Sequence, residues 1–178
     1  MPHPNAKVEV LFSAAEIAER IRVLALAIAA DMGPDLLLAA VLKGSFVFAA
    51  DLIRALHYAG IRPEIDFMTL SSYGAATESS GRVEISRDVD QTLQGRKVLL
   101  LDDILESGRT LAFARDSLGR RGADVRICVL LDKPGKRKAA IEPDYTGFVC
   151  PDRFVVGYGL DYAHYYRELP YIGVIEGH

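Results

Sequence analysis

The sequence predicts an α/β fold in which a twisted, mainly parallel sheet is flanked by helices. Apolar runs of strand length, such as 36–42 and 97–101, alternate with segments in which apolar residues recur at helical spacing. Continuous apolar runs are typical of strands that are covered on both faces, as in parallel sheets. The chain has 178 residues, of which 50% are hydrophobic, so we expect a single domain over 1–178.

The first helix is expected from about residue 14 to Asp31. Ser13 and Glu16 have the spacing of a capping box, in which two side chains satisfy free backbone amides at the helix start. Gly33-Pro34 is a stop signal, and the strand over 36–42 follows it.

The second helix is expected to begin at Phe46 and to end before Gly60. The short polar segment Lys43-Gly44-Ser45 separates it from the preceding strand, so strand, loop and helix form the first half of a parallel unit. The next strand is expected over 64–70.

A mobile loop is expected over about 71–88. Residues 71–81 are small or polar and have no hydrophobic period, and 82–88 can form the returning arm of a hairpin. Two interpretations stay open: a solvated connection, or a cover over an active site, which is a common role of long loops in compact domains.

The strand over 97–101 is expected to end at two carboxylates, Asp102 and Asp103, ahead of a polar loop and a helix over about 110–119. A strand over 124–131 and a positively charged turn over 133–138 come next. Short strand candidates in the C-terminal part are 148–150, 154–158 and 171–175.

The loop from Glu106 to Thr110 has the composition of a phosphate site. Gly108 permits a tight turn, Ser107 and Thr110 supply hydroxyl donors, and the start of a helix adds positive potential. The segment does not match a Walker A loop, and the chain contains no Gly-x-Gly-x-x-Gly.

Two neighbouring features point to the same edge of the sheet. Asp102 and Asp103 can bind sugar hydroxyls or Mg²⁺, although two solvated acids at a strand end are an alternative. Lys43-Gly44 is a second candidate anion loop, although a plain surface lysine is an equally good interpretation. Ligands bind α/β proteins at the carboxyl ends of parallel strands, where these segments would meet.

Composition excludes several classes of protein. The net charge of −3 gives no general attraction for nucleic acid, and no apolar run approaches the ~18 residues of a membrane span. Cys128 and Cys150 lie in apolar surroundings and are expected to be reduced core residues. No histidine has metal-ligand spacing with a cysteine, and no signal peptide is recognisable, so we expect a soluble, cytoplasmic protein.

The run Val98–Leu111 resembles the phosphoribosyl diphosphate signature of the type I phosphoribosyltransferases. Three further segments resemble the hypoxanthine-guanine branch of that family: Leu42–Ser45 its pyrophosphate loop, Ser72-Tyr73 the start of its mobile loop, and Pro151–Tyr162 its purine-recognition segment. The resemblance implies the type I phosphoribosyltransferase fold, with a small hood built from the C-terminal segment, about 143–178.

The resemblance also implies roles for individual residues. Asp102 and Asp103 would meet the ribose hydroxyls or the metal, and Arg167 would reach the pyrophosphate. The remaining phosphate contacts would come from Lys43, Gly44, Glu106, Ser107, Gly108, Arg109 and Thr110, with a cis peptide between Leu42 and Lys43.

For the purine, the resemblance implies that Lys133 donates to the 6-oxo group, Phe154 stacks on the base and Val155 offers backbone contacts. Asp161 would help to hold Mg²⁺ near the base. Glu106 would be the general base, with Lys43 and Arg167 assisting catalysis, although the family usually has Asp at the position of Glu106.

The function implied is a Mg²⁺-dependent transfer of the phosphoribosyl group from phosphoribosyl diphosphate to hypoxanthine, and to guanine, in purine salvage. Alternatives are a xanthine-preferring relative and a pyrimidine-operon regulator that binds RNA. Relatives are homodimers or homotetramers, so the partners implied are the two substrates and further copies of the chain, without nucleic acid or membrane.

Overall fold

A computed structural model of the chain describes residues 7–73 and 82–175. The elements are, in chain order, β1 (Val8–Phe12), α1 (Ala14–Met32), β2 (Leu36–Leu42), α2 (Phe46–Tyr58), β3 (Glu64–Tyr73), β4 (Arg82–Arg87), β5 (Lys97–Leu105), α3 (Arg109–Arg120), β6 (Asp124–Asp132), β7 (Tyr145–Val149), β8 (Val155–Val156) and β9 (Ile172–Ile175). A short 3₁₀ turn over Pro134–Lys136 follows β6.

The main sheet has six strands in the order β4-β3-β2-β5-β6-β7. All neighbouring pairs are parallel except β3 and β4, so the edge strand β4 makes the sheet mixed. The expected α/β fold, with parallel strands flanked by helices, is confirmed.

Alternate residues of β2 enter two different cores. Leu36, Leu38 and Ala40 pack in a cluster with the apolar faces of α1 and α2. Leu37, Ala39 and Val41 pack in a second cluster that includes the buried face of α3. Successive strand residues point to opposite faces, so an uninterrupted apolar run is what a strand covered by helices on both sides requires.

The boundaries of α1 confirm the expected signals. The Ser13 amide donates to Glu16 Oε2 at 2.8 Å and the Glu16 amide donates to Ser13 Oγ at 3.3 Å, which completes the capping box. At the other end Gly33 has φ of +75°, a conformation that suits glycine, and its amide donates to the Ala29 carbonyl group.

The hood differs from its expected extent. It is a three-stranded antiparallel sheet in the order β1-β9-β8, so it includes the N-terminal strand β1, while β7 belongs to the main sheet. The hood therefore begins after β7 rather than at about 143. The pairing of β1 with β9 is between the two ends of the chain, and no local sequence signal reports such a contact.

The returning hairpin arm expected over 82–88 is confirmed: residues 82–87 form β4, which pairs antiparallel with β3 from Thr69 to Tyr73. The expected start of the loop at 71 is wrong, because residues 71–73 continue β3. Backbone pairing with an antiparallel edge strand needs no apolar side chains, so the polar composition of 71–73 concealed it. The expected loop residues 74–81 lie outside the described residues.

Within the two described ranges, no helix is long and apolar enough to cross a membrane. Cys128 and Cys150 are buried and free, as expected. Burial raises the pKa of both thiols.

Candidate active site

Three polar segments follow neighbouring parallel strands at the same edge of the sheet. Lys43–Ser45 follows β2, the loop from Glu106 follows β5, and Lys133 follows β6. Because β2, β5 and β6 are adjacent in the sheet, the segments converge on the crevice where α/β proteins bind ligands.

Asp102 and Asp103 are strand residues, contrary to the expectation that the strand ends at Leu101. Pairing of β5 with β6 continues to Leu105, which lies opposite Asp132. The apolar pattern stops at the carboxylates whereas the backbone ladder does not, so the sequence placed the strand end four residues early.

The loop after β5 closes around Gly108. This residue has φ of +79° and precedes the first residue of α3, and a Cβ atom at this position would lie 2.4 Å from Ile141 Cγ2. Only glycine fits both the conformation and the space. Ser107 and Thr110 are half-buried and Arg109 is exposed. They lie at the N-terminal end of α3, where the backbone amides have no partner within the helix.

A cavity of about 250 Å³ lies over this loop. Its lining residues are Asp102, Asp103, Ile104, Leu105, Glu106, Ser107, Gly108, Thr110 and Leu111. It therefore joins the two carboxylates of β5 to the hydroxyl and amide donors of the loop, as a ribose phosphate requires.

Gly44 lies between β5 and the hood. A Cβ atom there would be 1.6 Å from Asp103 Oδ2, and a Cβ atom at Gly159 would be 2.3 Å from the Gly44 carbonyl oxygen. The peptide bond between Leu42 and Lys43 is cis, as the resemblance implied, and the Lys43 side chain is exposed. Two glycines thus permit the close approach of the Asp103 carboxylate and of the Gly159 backbone to the Lys43–Ser45 segment.

The paired carboxylates suit a cation. Burial raises the pKa of Asp102 well above its ordinary value, and repulsion from Asp103 raises it further. Burial also raises the pKa of Asp103, while its hydrogen bonds with Asp102 and Ile104 and the charge of Arg167 oppose that rise. A cation beside these carboxylates would favour their charged forms.

Mg²⁺ is commonly bound through one or two protein carboxylates and the phosphates of its substrate. Among the described residues, no group of three or more His, Cys, Asp or Glu side chains is arranged to hold a metal. Asp102 and Asp103 can therefore supply two carboxylate ligands to a divalent cation whose other ligands come from a bound molecule.

Lys133 and Glu106 form an ion pair. Lys133 is 6% exposed, and its Nζ donates to Glu106 Oε1 and to the Arg153 carbonyl oxygen, both at 2.8 Å. The sequence predicted separate roles for the two side chains, which are 27 positions apart, and no local pattern indicates their contact. The sequence also does not indicate that the Arg153 carbonyl oxygen accepts a hydrogen bond from Lys133.

A second cavity, of about 220 Å³, lies between this ion pair and the hood. Its lining residues are Asp103, Ile104, Glu106, Lys133, Phe154, Val155, Leu160 and Asp161. Phe154 is 41% exposed and meets Tyr162 edge to face at a centroid distance of 5.3 Å, while Val155 is buried in β8. An exposed aromatic ring beside a buried lysine offers a surface for a planar ring with a polar edge.

Asp161 and Arg167 are paired at the rim of this cavity. Arg167 Nη2 lies 2.8 Å from Asp161 Oδ1, and Arg167 Nη1 donates to the Gly159 carbonyl oxygen at 2.5 Å. The other Asp161 oxygen accepts from the His164 amide at 2.8 Å. The sequence analysis assigned Asp161 to a metal and Arg167 to the pyrophosphate, and it did not predict that the two side chains are in contact.

Comparison with known proteins gives a consistent result. Residues 8–163 match the family model described as the phosphoribosyl transferase domain. The hypoxanthine-guanine phosphoribosyltransferase of Lactococcus lactis is 44% identical over 169 residues, which are 94% of this chain and 91% of that protein. The bifunctional protein TilS/HprT of Listeria innocua is 46% identical over 170 residues, which are 94% of this chain but only 26% of that longer protein.

Solved structures are similar over nearly the whole chain. A hypoxanthine phosphoribosyltransferase from Staphylococcus aureus superimposes with a TM-score of 0.89 at 42% identity, covering 98% of this chain and 94% of that one. The Trypanosoma cruzi hypoxanthine phosphoribosyltransferase, in complex with the product IMP, has a TM-score of 0.89 at 36% identity and covers 99% and 98%.

Proposed function

This chain belongs to the phosphoribosyl transferase family, in its hypoxanthine-guanine branch, and from that premise we propose that it salvages purines. It transfers the 5-phosphoribosyl group of phosphoribosyl diphosphate to hypoxanthine, and to guanine, giving IMP or GMP and diphosphate. Relatives that are named hypoxanthine phosphoribosyltransferase favour this function over that of a xanthine-preferring enzyme or of an RNA-binding regulator.

One observation carries this proposal. The cavity over the phosphate loop and the cavity beneath the hood share Asp103, Ile104 and Glu106. A ribose phosphate in the first and a planar base in the second would meet at those shared residues. Such a junction is the arrangement that transfer between two substrates needs, because holding both reactants together removes much of the entropic barrier.

The phosphoribosyl half of the site is proposed to use Ser107, Gly108, Arg109 and Thr110 for the 5′-phosphate. Asp102 and Asp103 bind the ribose hydroxyls or the metal. Lys43, Gly44 and Arg167 hold the diphosphate. To bind it, the Arg167 guanidinium must leave the Asp161 carboxylate, with which it is paired at the rim of the cavity. Mg²⁺ bound together with the diphosphate, beside Asp102 and Asp103 or, nearer the base, beside Asp161, would supply positive charge to the leaving group.

In the reaction, the bond between the anomeric carbon and the diphosphate oxygen breaks, and the electron pair leaves with the diphosphate. The purine nitrogen N9 forms the new bond to that carbon. The proton on N7 passes to the Glu106 carboxylate, which acts as general base. Cationic groups placed in advance around the leaving group stabilise the charge that develops there.

The base is selected by Lys133, whose ammonium donates to the 6-oxo group while Phe154 stacks on the ring and the Val155 backbone meets its edge. A 6-amino group in the same place would face a charged donor with donors of its own. Leaving a buried donor without an acceptor is costly, and more so for a charged group. The site should therefore reject adenine.

The substrate test is an assay of the purified chain with phosphoribosyl diphosphate, Mg²⁺ and each of hypoxanthine, guanine, xanthine and adenine. Hypoxanthine should be consumed at least about 10²-fold faster than adenine, from the cost of an unpaired charged donor. Adenine reacting as fast as hypoxanthine would overturn the assignment of Lys133, and xanthine as the best substrate would favour the xanthine-preferring alternative.

A matched pair of variants assigns the selectivity to one lysine. Lys133→Met should reduce the ratio of hypoxanthine to adenine turnover. Lys136→Met removes a lysine of the same turn whose side chain is half exposed and paired with Asp152, and it should leave that ratio unchanged.

We also propose that the chain acts as one domain, in the cytoplasm, without nucleic acid or membrane partners and as a homodimer or homotetramer. The free buried cysteines suit a reducing compartment.

A further inference from the structure

The turn after β6 lies directly behind the phosphate loop. The Lys133 amide donates to the Leu105 carbonyl oxygen at 2.9 Å. The amides of Lys138 and Ala139 both donate to the Ser107 carbonyl oxygen, each at 2.9 Å. The positively charged turn of the sequence therefore supports the loop through its backbone, although 134–136 and Lys138 are exposed.

The Arg137 side chain lies between these backbone contacts and makes further hydrogen bonds to the loop. Its Nη1 donates to the Glu106 carbonyl oxygen at 2.8 Å and to that of Leu105 at 3.3 Å, and its Nη2 pairs with the Asp132 carboxylate. The guanidinium side chain is 11% exposed. A planar fork of donors reaches three acceptors in different directions, which the single ammonium of a lysine does less well.

The third nitrogen of the Arg137 guanidinium group, Nε, has a different environment. It is buried without a hydrogen bond among the described residues, and it lies 3.9 Å from a carboxylate oxygen of Glu142, within ion-pair distance. The Arg137 Cδ atom also lies 3.2 Å from where a Cβ atom of Gly108 would be, at the tight turn of the loop.

These contacts bind, from the side of the turn, the carbonyl groups of three consecutive residues: Leu105 at the end of β5, and Glu106 and Ser107 in the loop. A loop binds an anion through its N–H groups, and a carbonyl oxygen directed at a phosphate would repel it. Turning the carbonyl groups toward donors behind the loop leaves the amides and hydroxyls for the cavity.

We propose that Arg137 is a positioning residue for the phosphoribosyl site. It holds the Leu105 and Glu106 carbonyl groups away from the cavity and so fixes the loop that receives the 5′-phosphate. The inference rests on the proposed function in one respect, namely that phosphoribosyl diphosphate is the ligand of this loop. Arg137 does not itself touch substrate.

The test measures the affinity for phosphoribosyl diphosphate by titration calorimetry in Mg²⁺ without any purine. Arg137→Met should raise the dissociation constant by about 10- to 100-fold, as expected for loss of hydrogen bonds from a charged group. Arg137→Lys keeps the charge but not the fork, so it should restore the melting temperature more fully than the affinity. The KM for hypoxanthine at saturating phosphoribosyl diphosphate should change less than that dissociation constant.

Two further variants separate positioning from general damage. Arg126→Met removes another arginine that pairs with an aspartate, Asp144, at the other end of β6, and it should leave the affinity unchanged. If Arg137→Met does not fold, Arg137→Met combined with Asp132→Asn removes the unpaired carboxylate too and should show the same loss of affinity.

The outcomes are distinct. Wild-type affinity in folded Arg137→Met and Arg137→Lys, or equal changes in the constants for both substrates, would overturn the positioning role. Failure of the wild-type chain to bind phosphoribosyl diphosphate would instead contradict the proposed function.

Discussion

Glu106→Gln is expected to reduce the turnover of hypoxanthine by about 10²- to 10⁴-fold, the usual contribution of a general base. Glutamine keeps the shape of the side chain and can still accept a hydrogen bond from Lys133, but it cannot take the proton from the purine. Steady-state kinetics with both substrates saturating measure the effect as a loss of kcat.

Two controls accompany this variant. Glu142→Gln makes the same change at an exposed glutamate and should leave kcat at the wild-type value. Glu106→Asp keeps the carboxylate but shortens its reach toward Lys133 by one methylene, so it should retain more activity than Glu106→Gln. Near-normal turnover in Glu106→Gln would remove Glu106 from the role of base and leave it as the partner of Lys133.

Gly44→Ala is expected to lower kcat/KM by about 10²-fold or more, the scale of a displacement near 1 Å of a catalytic group. The new Cβ atom would fall 1.6 Å from Asp103 Oδ2, so either the carboxylate or the Lys43–Ser45 segment must move. Both lie at the proposed junction of ribose, diphosphate and metal. The assay is the rate of IMP formation at several phosphoribosyl diphosphate concentrations.

Gly119→Ala is the matched control for this substitution. Gly119 is the second-last residue of α3, and a Cβ atom there would have no neighbour within 4 Å outside the backbone of its own helix. Alanine should leave activity unchanged and stabilise the helix by less than the ~0.5 to 1 kcal/mol typical of a mid-helix position. Wild-type kcat/KM in Gly44→Ala would show that the close approach of Gly44 and Asp103 is not needed for the reaction.

Local signals in the sequence were sufficient to predict most strands of the main sheet and the helices that cover it. The capping box of Ser13 and Glu16 marked the start of α1, and the apolar run over 36–42 gave the exact bounds of β2. These signals work because a helix cap and a buried strand are set by residues that are close together in the chain.

The errors share one physical cause. The extension of β5 through Asp102 and Asp103, the addition of 71–73 to β3 and the place of β1 in the hood all depend on backbone pairing with a distant strand. Backbone hydrogen bonds are available to any residue other than proline on the donor side, so composition does not report them.

The candidate site shows the same division. The loop from Glu106 to Thr110 and the resemblance of the chain to a known family predicted most of the residues that line the two cavities, but not four apolar ones, Ile104, Leu105, Leu111 and Leu160. Four residues predicted to contact phosphate groups, Lys43, Gly44, Arg109 and Arg167, do not line either cavity. The ion pairs of Lys133 with Glu106 and of Arg167 with Asp161, and the support of the loop by Arg137, join segments that fold together only in three dimensions.

The central claim is that the two adjoining cavities hold the two halves of one product. The most direct measurement is a crystal structure of the chain soaked with IMP. The account predicts the phosphate at Ser107–Thr110, the ribose beside Asp102 and Asp103, and the base against Phe154 with its 6-oxo group facing Lys133. A nucleotide bound with its base over the phosphate loop, or at a different edge of the sheet, would contradict it.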